Sequence, residues 1–263
     1  MNHAEINGTR TAFAVAGTGP ALLLIHGAEA DHSMFQALIP ELAMRHTVFA
    51  YDQRDSGLTR NPQIPYFLTE LAADAAALID HLGFGRIHVF GTSLGGAIAQ
   101  VLASEYPDKV NRLVLGSTWR VGRQLTEYSP AVANELGALR RDPVANAALI
   151  AAFYFPPAVL RERPELINSL GGTFRPEALR LRRQQARLHP RTINLTKVQA
   201  PTLLLAGTLD RLVPAEVTFE LSSDIPNVCC ESMEGIGHIG ARQAPRMVAA
   251  KVLAFINTTE EQP

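Results

Sequence analysis

Short runs of β-branched and leucine-rich residues alternate along the chain with longer segments of helical period. That order predicts an α/β fold built around a mainly parallel sheet. Strands are expected at Thr11–Ala16, Ala21–His26, Thr47–Tyr51, Ile87–Phe90, Leu113–Leu115, Thr202–Leu205 and Val228–Cys230, with room for an eighth. Helical patterns fall between them at Met34–Met44, Leu68–Leu82, Leu94–Glu105, Glu216–Leu221 and Ala241–Phe255. The strands after Tyr51 carry little apolar-polar alternation, as expected when both faces of a parallel strand are covered. The reading is a doubly wound core.

One interval breaks this rhythm. From Gly116 to Pro201 there are 86 residues between two buried strands, too long for one crossover helix and too ordered for a loop. Pro130, Pro143, Pro156, Pro157, Pro164 and Pro176 punctuate it at helix-start spacings, which predicts about four short helices. The expected organisation is a core of residues 1–117 and 201–263 with a helical cap, 118–200, inserted between two late strands.

Composition narrows the class. Of 263 residues 47% are apolar and 19% charged, and 24 basic against 25 acidic side chains leave a net charge of −1, so neither a disordered chain nor a nucleic-acid-binding field is expected. The longest apolar run, Ala147 to Phe155, is nine residues, short of the roughly 20 that a membrane-spanning helix needs. The start, Met1-Asn2-His3-Ala4-Glu5, lacks the basic-then-apolar order of a secretory signal, which makes the cytoplasm the expected compartment. Cys229 and Cys230 are adjacent, a poor arrangement for a loop-closing bridge, and no metal-ligand spacing or phosphate-cradling loop is present. No metal and no cofactor are expected.

The chemistry concentrates in three turns. Gly91-Thr92-Ser93-Leu94-Gly95-Gly96 follows the strand Ile87–Phe90 and precedes a helical pattern, the context in which G-x-S-x-G forms a nucleophile elbow. A serine hydroxyl needs a base to take its proton and a third group to orient that base. Asp210 follows the strand Thr202–Leu205 and His238 follows Val228–Cys230, both at carboxyl strand ends, where an open α/β sheet places its site. The order Ser93, Asp210, His238 is the order this architecture requires. Seven other histidines exist, so His238 is chosen by position; Asp210 competes with the plainer role of a helix cap before Val213-Pro214.

Acyl transfer also needs donors for an oxyanion. The N–H of Leu94 is one candidate. The N–H of Ala28, in the turn His26-Gly27-Ala28 after the strand Ala21–His26, is the other. His26 sits beside this turn and is expected to hold the loop rather than to move protons.

Taken together, His26-Gly27, Tyr51-Asp52-Gln53-Arg54, the Ser93 elbow, Pro201 to Pro214 with Asp210, and Gly235 to His238 resemble a cap-bearing member of the α/β-hydrolase superfamily. The resemblance implies Ser93 as nucleophile, His238 as base, Asp210 as its partner, and Ala28 and Leu94 as oxyanion donors. Ala152-Phe153-Tyr154-Phe155-Pro156-Pro157 is similar to the cap of enol-lactonase and aminoacrylate-hydrolase relatives, which points to Phe153 and Tyr154 as substrate-binding residues. The chain departs from the usual Gly after Asp-Gln-Arg: Asp55 stands there, similar to methyl-esterases acting on polyketides, and is either a turn residue or a substrate contact. A serine at position 93 sets the chain apart from dehalogenases and epoxide hydrolases that use an aspartate.

The expected function is hydrolysis of a carboxylic ester or lactone through an acyl-enzyme, with a bulky ester in play given Asp55. A C–C bond hydrolase or lyase on the same triad, and a small-molecule receptor of this fold, remain as alternatives; the oligomeric state is left open. Charge adds one refinement. Twelve arginines (120, 123, 140, 141, 161, 163, 175, 180, 182, 183, 187 and 191) against six acids make the cap about +6. Either these arginines are solvated, with Arg180, Arg183 and Arg187 forming one outward face, or one or two point inward over Ser93 to bind a substrate carboxylate. Phe153, Tyr154, Phe155 and Leu181 would then complete the pocket wall.

Overall fold

Every residue of the strand Ala21–Ile25 is buried, because helices cover both of its faces. Leu23 and Ile25 point into one core, Leu22 and Leu24 into another. The computed structural model of the protein describes residues 1–168, 177–186 and 193–258. Within them β1 (Asn2–Ile6), β2 (Thr9–Ala16), β3 (Ala21–Ile25), β4 (Thr47–Tyr51), β5 (Ile87–Thr92), β6 (Val110–Gly116), β7 (Thr202–Gly207) and β8 (Val228–Met233) form one sheet in the order β1-β2-β4-β3-β5-β6-β7-β8. The β1–β2 and β2–β4 pairings are antiparallel, and the rest are parallel.

The helices in chain order are α1 (Ile39–Leu42), α2 (Leu68–His81), α3 (Leu94–Glu105), α4 (Leu125–Tyr128), α5 (Pro130–Leu139), α6 (Ala147–Tyr154), α7 (Pro157–Glu162), α8 (Glu165–Asn168), α9 (Glu177–Gln185), α10 (Ala215–Phe219), α11 (Gly240–Gln243) and α12 (Pro245–Ile256). One core lies under α2 and α3, and the other under α1, α11 and α12. Among the described residues six helices, α4 to α9, stand between β6 and β7 rather than about four, since α4 and α6 begin without a proline. Among the described residues no helix is long and apolar enough to cross a membrane.

β1 is the eighth strand for which the sequence leaves room, with only Ala4 and Ile6 facing inward and no apolar run to announce it. Three expectations need correction. The pattern over Met34–Met44 splits into a 3₁₀ turn, His32–Phe35, and the single-turn α1, with Pro40 in its first turn. Ala241–Phe255 splits at Ala244-Pro245 into α11 and α12, because the residue before a proline avoids helical backbone. β8 is not covered on both faces: it is the sheet edge, and Cys229 and Cys230 are exposed free thiols.

The parallel register aligns the strand ends that matter. Thr92 of β5 pairs with Gly116 of β6, and Gly207 of β7 with Met233 of β8, so the segments after β5, β7 and β8 leave one rim of the sheet. The chain steps from β3 outward to β4 and then back across to β5. That reversal is the topological switch point where open α/β sheets bind ligands.

Candidate active site

Ser93 joins β5 to α3 with φ 56° and ψ −124°, left-handed backbone that a non-glycine residue adopts only when its surroundings impose it. Its N–H donates to the Gly116 carbonyl (2.9 Å), and its carbonyl accepts the Thr118 hydroxyl (2.8 Å). The flanking glycines are required by close approach. A Cβ on Gly95 would lie 2.0 Å from the Ile25 carbonyl oxygen, and one on Gly91 2.3 Å from that of Gly95. The turn therefore holds the hydroxyl at the rim against the end of β3.

Ser93 Oγ is 3.0 Å from His238 Nε2, and His238 Nδ1 is 2.8 Å from Asp210 Oδ2. Asp210 Oδ1 accepts the N–H groups of Leu212 (2.9 Å) and Val213 (2.8 Å), which pins the carboxylate in its loop. All three side chains are buried. A carboxylate only accepts, so the imidazole proton sits on Nδ1 and the Nε2 lone pair faces the serine hydroxyl. The structure thus brings together Ser93, Asp210 and His238 from three separate loops. Asp210 caps its own loop and bonds His238 at the same time.

Leu94 supplies the first N–H of α3. Gly27 runs directly past the serine: a Cβ there would sit 3.2 Å from Ser93 Cβ, and Ala28 follows it, half-buried. His26 shapes this turn. Its Nδ1 donates to the Gly27 carbonyl (2.8 Å) and its Nε2 accepts the Gln53 N–H (3.2 Å), while the Gln53 side chain donates to the His26 carbonyl (2.6 Å). Burial, with the Arg183 guanidinium as the next cause, lowers the His26 pKa to about 4, so the ring is neutral and fits this pattern of one donor and one acceptor.

The loop after β4, which begins with the Tyr51-Asp52-Gln53-Arg54 run, braces the same turn from outside through Gln53. Asp52, fully buried, accepts the His32 N–H and His32 Nδ1 on one oxygen (both 2.8 Å) and the Leu58 N–H on the other (2.8 Å). Asp31, His32 and Asp52 bring three potential metal-ligand atoms within 4.8 Å of one another, yet Asp52 is engaged by these donors and Asp31 caps the Ser33 N–H.

Asp55, at φ 56°, forms two hydrogen bonds with Arg182 of α9 (3.0 and 3.1 Å), and its N–H donates to Asn61 Oδ1 (2.7 Å). It is a turn residue and a docking point for the helical insertion. Next to it Arg183 is buried and donates to the Arg54 carbonyl (2.8 Å) and to the Ser56 hydroxyl. An outward face containing Arg183 is therefore corrected: the guanidinium is packed against the core. Arg120 pairs with Asp224, Arg123 with Glu127 and Glu220, Arg140 with the Tyr154 hydroxyl, and Arg163 with Glu165. These six arginines are tied to the protein itself. Arg175, Arg187, Arg191 and the side chain of Arg180 lie outside the described residues.

Phe153 and Tyr154 sit differently from one another. Phe153 is buried with Leu136, Ile150, Leu212, Val213 and Val217, under the guanidinium of Arg211 (4.8 Å to the ring centroid). Tyr154 is half-buried with its ring 5.7 Å from that of His238. Phe155 is fully buried in the core under α12, and Leu181 is exposed.

Comparison with known proteins bears on the fold. The model of the family described as alpha/beta hydrolase fold matches residues 20–243. The chain is 28% identical to a 2-(acetamidomethylene)succinate hydrolase of Mesorhizobium japonicum, covering 92% of this chain and 89% of that one. It is 26% identical to 3-oxoadipate enol-lactonase 2 of Acinetobacter baylyi, covering 86% and 85%. Among solved structures, a thermophilic esterase from Thermogutta terrifontis superposes with a TM-score of 0.81 at 25% identity, covering 94% of this chain and 93% of that one.

Proposed function

The chain belongs to the alpha/beta hydrolase fold family, and from that premise we propose that it hydrolyses a small carboxylic ester or lactone by covalent catalysis at Ser93. The observation that carries the reading is the continuous chain of hydrogen bonds Ser93 Oγ to His238 Nε2 to Asp210, 3.0 and 2.8 Å long. Ser93 Oγ attacks the acyl carbonyl while His238 Nε2 takes its proton. The N–H groups of Leu94 and Ala28 receive the negative charge that develops on the carbonyl oxygen. His238 then passes the proton to the leaving alkoxide, and the acyl group remains on Ser93. Water, deprotonated by the same imidazole, attacks the acyl-enzyme, releases the acid and restores the serine. Every proton in the cycle moves through His238 Nε2. Asp210 keeps that nitrogen free as an acceptor and stabilises the imidazolium between steps.

The relatives named above act on an acetamidomethylene succinate and on an enol-lactone, and both support a small acyl compound as substrate. The insertion between β6 and β7 serves as the cap over the cleft. The deciding experiment is Ser93→Ala, assayed on p-nitrophenyl acetate and with a fluorophosphonate probe. We expect loss of labelling and a residual rate of no more than about 10³–10⁴ over the uncatalysed reaction. A variant keeping more than about a tenth of wild-type turnover would exclude Ser93 as nucleophile.

A further inference from the structure

The last turn of α6 and the residues just after it touch both loops that carry the acid and the base. From this we propose that Tyr154 is a positioning residue for His238, an inference that rests on reading Ser93, Asp210 and His238 as a catalytic triad. The Tyr154 carbonyl accepts the His238 N–H at 2.8 Å. Carbonyls in the last turn of a helix have no partner within it, and here one of them fixes the backbone of the base. The Tyr154 ring lies 5.7 Å from the imidazole, tilted by 60°. Its hydroxyl bonds Arg140, so the ring is held from its far end as well.

Two further contacts make this grip specific. A Cβ on Gly237 would lie 2.5 Å from the Tyr154 carbonyl oxygen and 3.0 Å from Pro156 Cδ, so the residue before the base is glycine because the end of α6 occupies that space. On the acid side, Arg211 donates to the Ala152 carbonyl (3.3 Å) and covers the Phe153 ring. Phe153 packs with Leu212 and Val213, the residues whose N–H groups hold Asp210. One helix end thus spans the two loops that must keep Nδ1 and Oδ2 in register. The imidazole becomes a cation each time it takes the serine proton, and an aromatic ring beside a forming cation favours it. Tyr154 acts through His238, whereas the sequence pattern alone points it at the substrate.

Tyr154→Ala, Tyr154→Phe and Gly237→Ala separate these roles in the full-length protein, with p-nitrophenyl acetate and p-nitrophenyl hexanoate as substrates and circular dichroism to check folding. Tyr154→Ala is expected to lower kcat about tenfold on both esters, with KM within about twofold, since only the charge-developing step is affected. Tyr154→Phe keeps ring and carbonyl and should recover most of that loss. Gly237→Ala displaces the base and should cost about a hundredfold in kcat. The proposal is overturned if Tyr154→Ala leaves kcat unchanged, if it shifts KM alone and differently for the two acyl lengths, or if Tyr154→Phe fails to restore turnover. An inactive Ser93→Ala beside an unaffected Tyr154→Ala would sink this inference and leave the triad standing; an active Ser93→Ala would remove the triad first.

Discussion

Replacing Asp210 by Asn changes one atom and tests which nitrogen of His238 carries the proton. In the native site one carboxylate oxygen accepts two backbone N–H groups, from Leu212 and Val213, and the other accepts from His238 Nδ1. An amide has a single oxygen to divide between these demands. Turning that oxygen toward His238 would set an NH₂ group against two buried N–H donors, at about 1–3 kcal/mol for each unsatisfied group, or about 2–6 kcal/mol together. The amide therefore keeps its oxygen on the loop and presents NH₂ to the imidazole. His238 must then accept at Nδ1 and carry its proton on Nε2, facing Ser93 Oγ at 3.0 Å with no lone pair to receive the serine proton. Reaching the competent tautomer costs a factor of about 30 to 10⁴, and the missing negative charge beside the imidazolium adds to it. We expect kcat to fall about 10⁴-fold, about 5 kcal/mol in barrier, with the thermal midpoint within a few degrees of wild type. Initial rates on p-nitrophenyl acetate and a melting curve measure both. Retention of kcat within tenfold of wild type would refute the tautomer argument.

Two other outcomes follow from the packing. His46 and His88 meet edge to face (6.0 Å) in the interior, and burial, helped by His46 and Arg112, holds the His88 pKa at about 4. Its folded pKa lies below that of the unfolded chain, so the unfolded state binds more protons between about pH 6.5 and 4 and stability falls as pH drops through that window, by up to about 1.4 kcal/mol per unit. Denaturant titrations from pH 7 to 4.5 should show a shallower decline for His88→Leu than for wild type; identical slopes would show that His88 is not responsible. In the last turn of α5, Gly137 is exposed, within the helix, and has nothing within 4 Å of the place an alanine methyl would take, so Gly137→Ala should raise stability by about 0.5–1 kcal/mol, read as a higher melting temperature.

The candidate site is legible in the sequence because its residues lie at punctuation. Ser93 and Asp210 follow strands with clear apolar runs and His238 follows the shorter run Val228–Cys230, and glycine or small residues mark each turn. What escapes a sequence reading lies where local pattern and tertiary context part. Asn2–Ile6 offers two inward residues, too few for a period, and becomes a strand only because β2 is there to pair with it. Met34–Met44 has helical spacing, yet Pro40 starts a new turn instead of continuing one. Phe153 and Tyr154 stand out in sequence as one aromatic pair, yet Phe153 packs inward with Leu212 and Val213 while the Tyr154 ring lies 5.7 Å from that of His238, a difference that no local signal carries. The tie from Arg182 to Asp55 joins residues 127 positions apart, beyond any local pattern.

Ser93 stands at the N-cap of α3, where a serine ordinarily turns its oxygen back onto the free N–H groups of the first turn. Here it makes no such bond. A capping oxygen is worth about 1 kcal/mol to a helix, and this helix forgoes it. The Gly96 N–H goes to the Ser93 carbonyl instead (2.9 Å), and the N–H ahead of it in the turn, that of Leu94, is the one the proposed reading assigns to the oxyanion. A hydroxyl turned back onto α3 could not also face His238 Nε2 at 3.0 Å, so this helix gives up its cap at the position where the proposed reading needs a nucleophile.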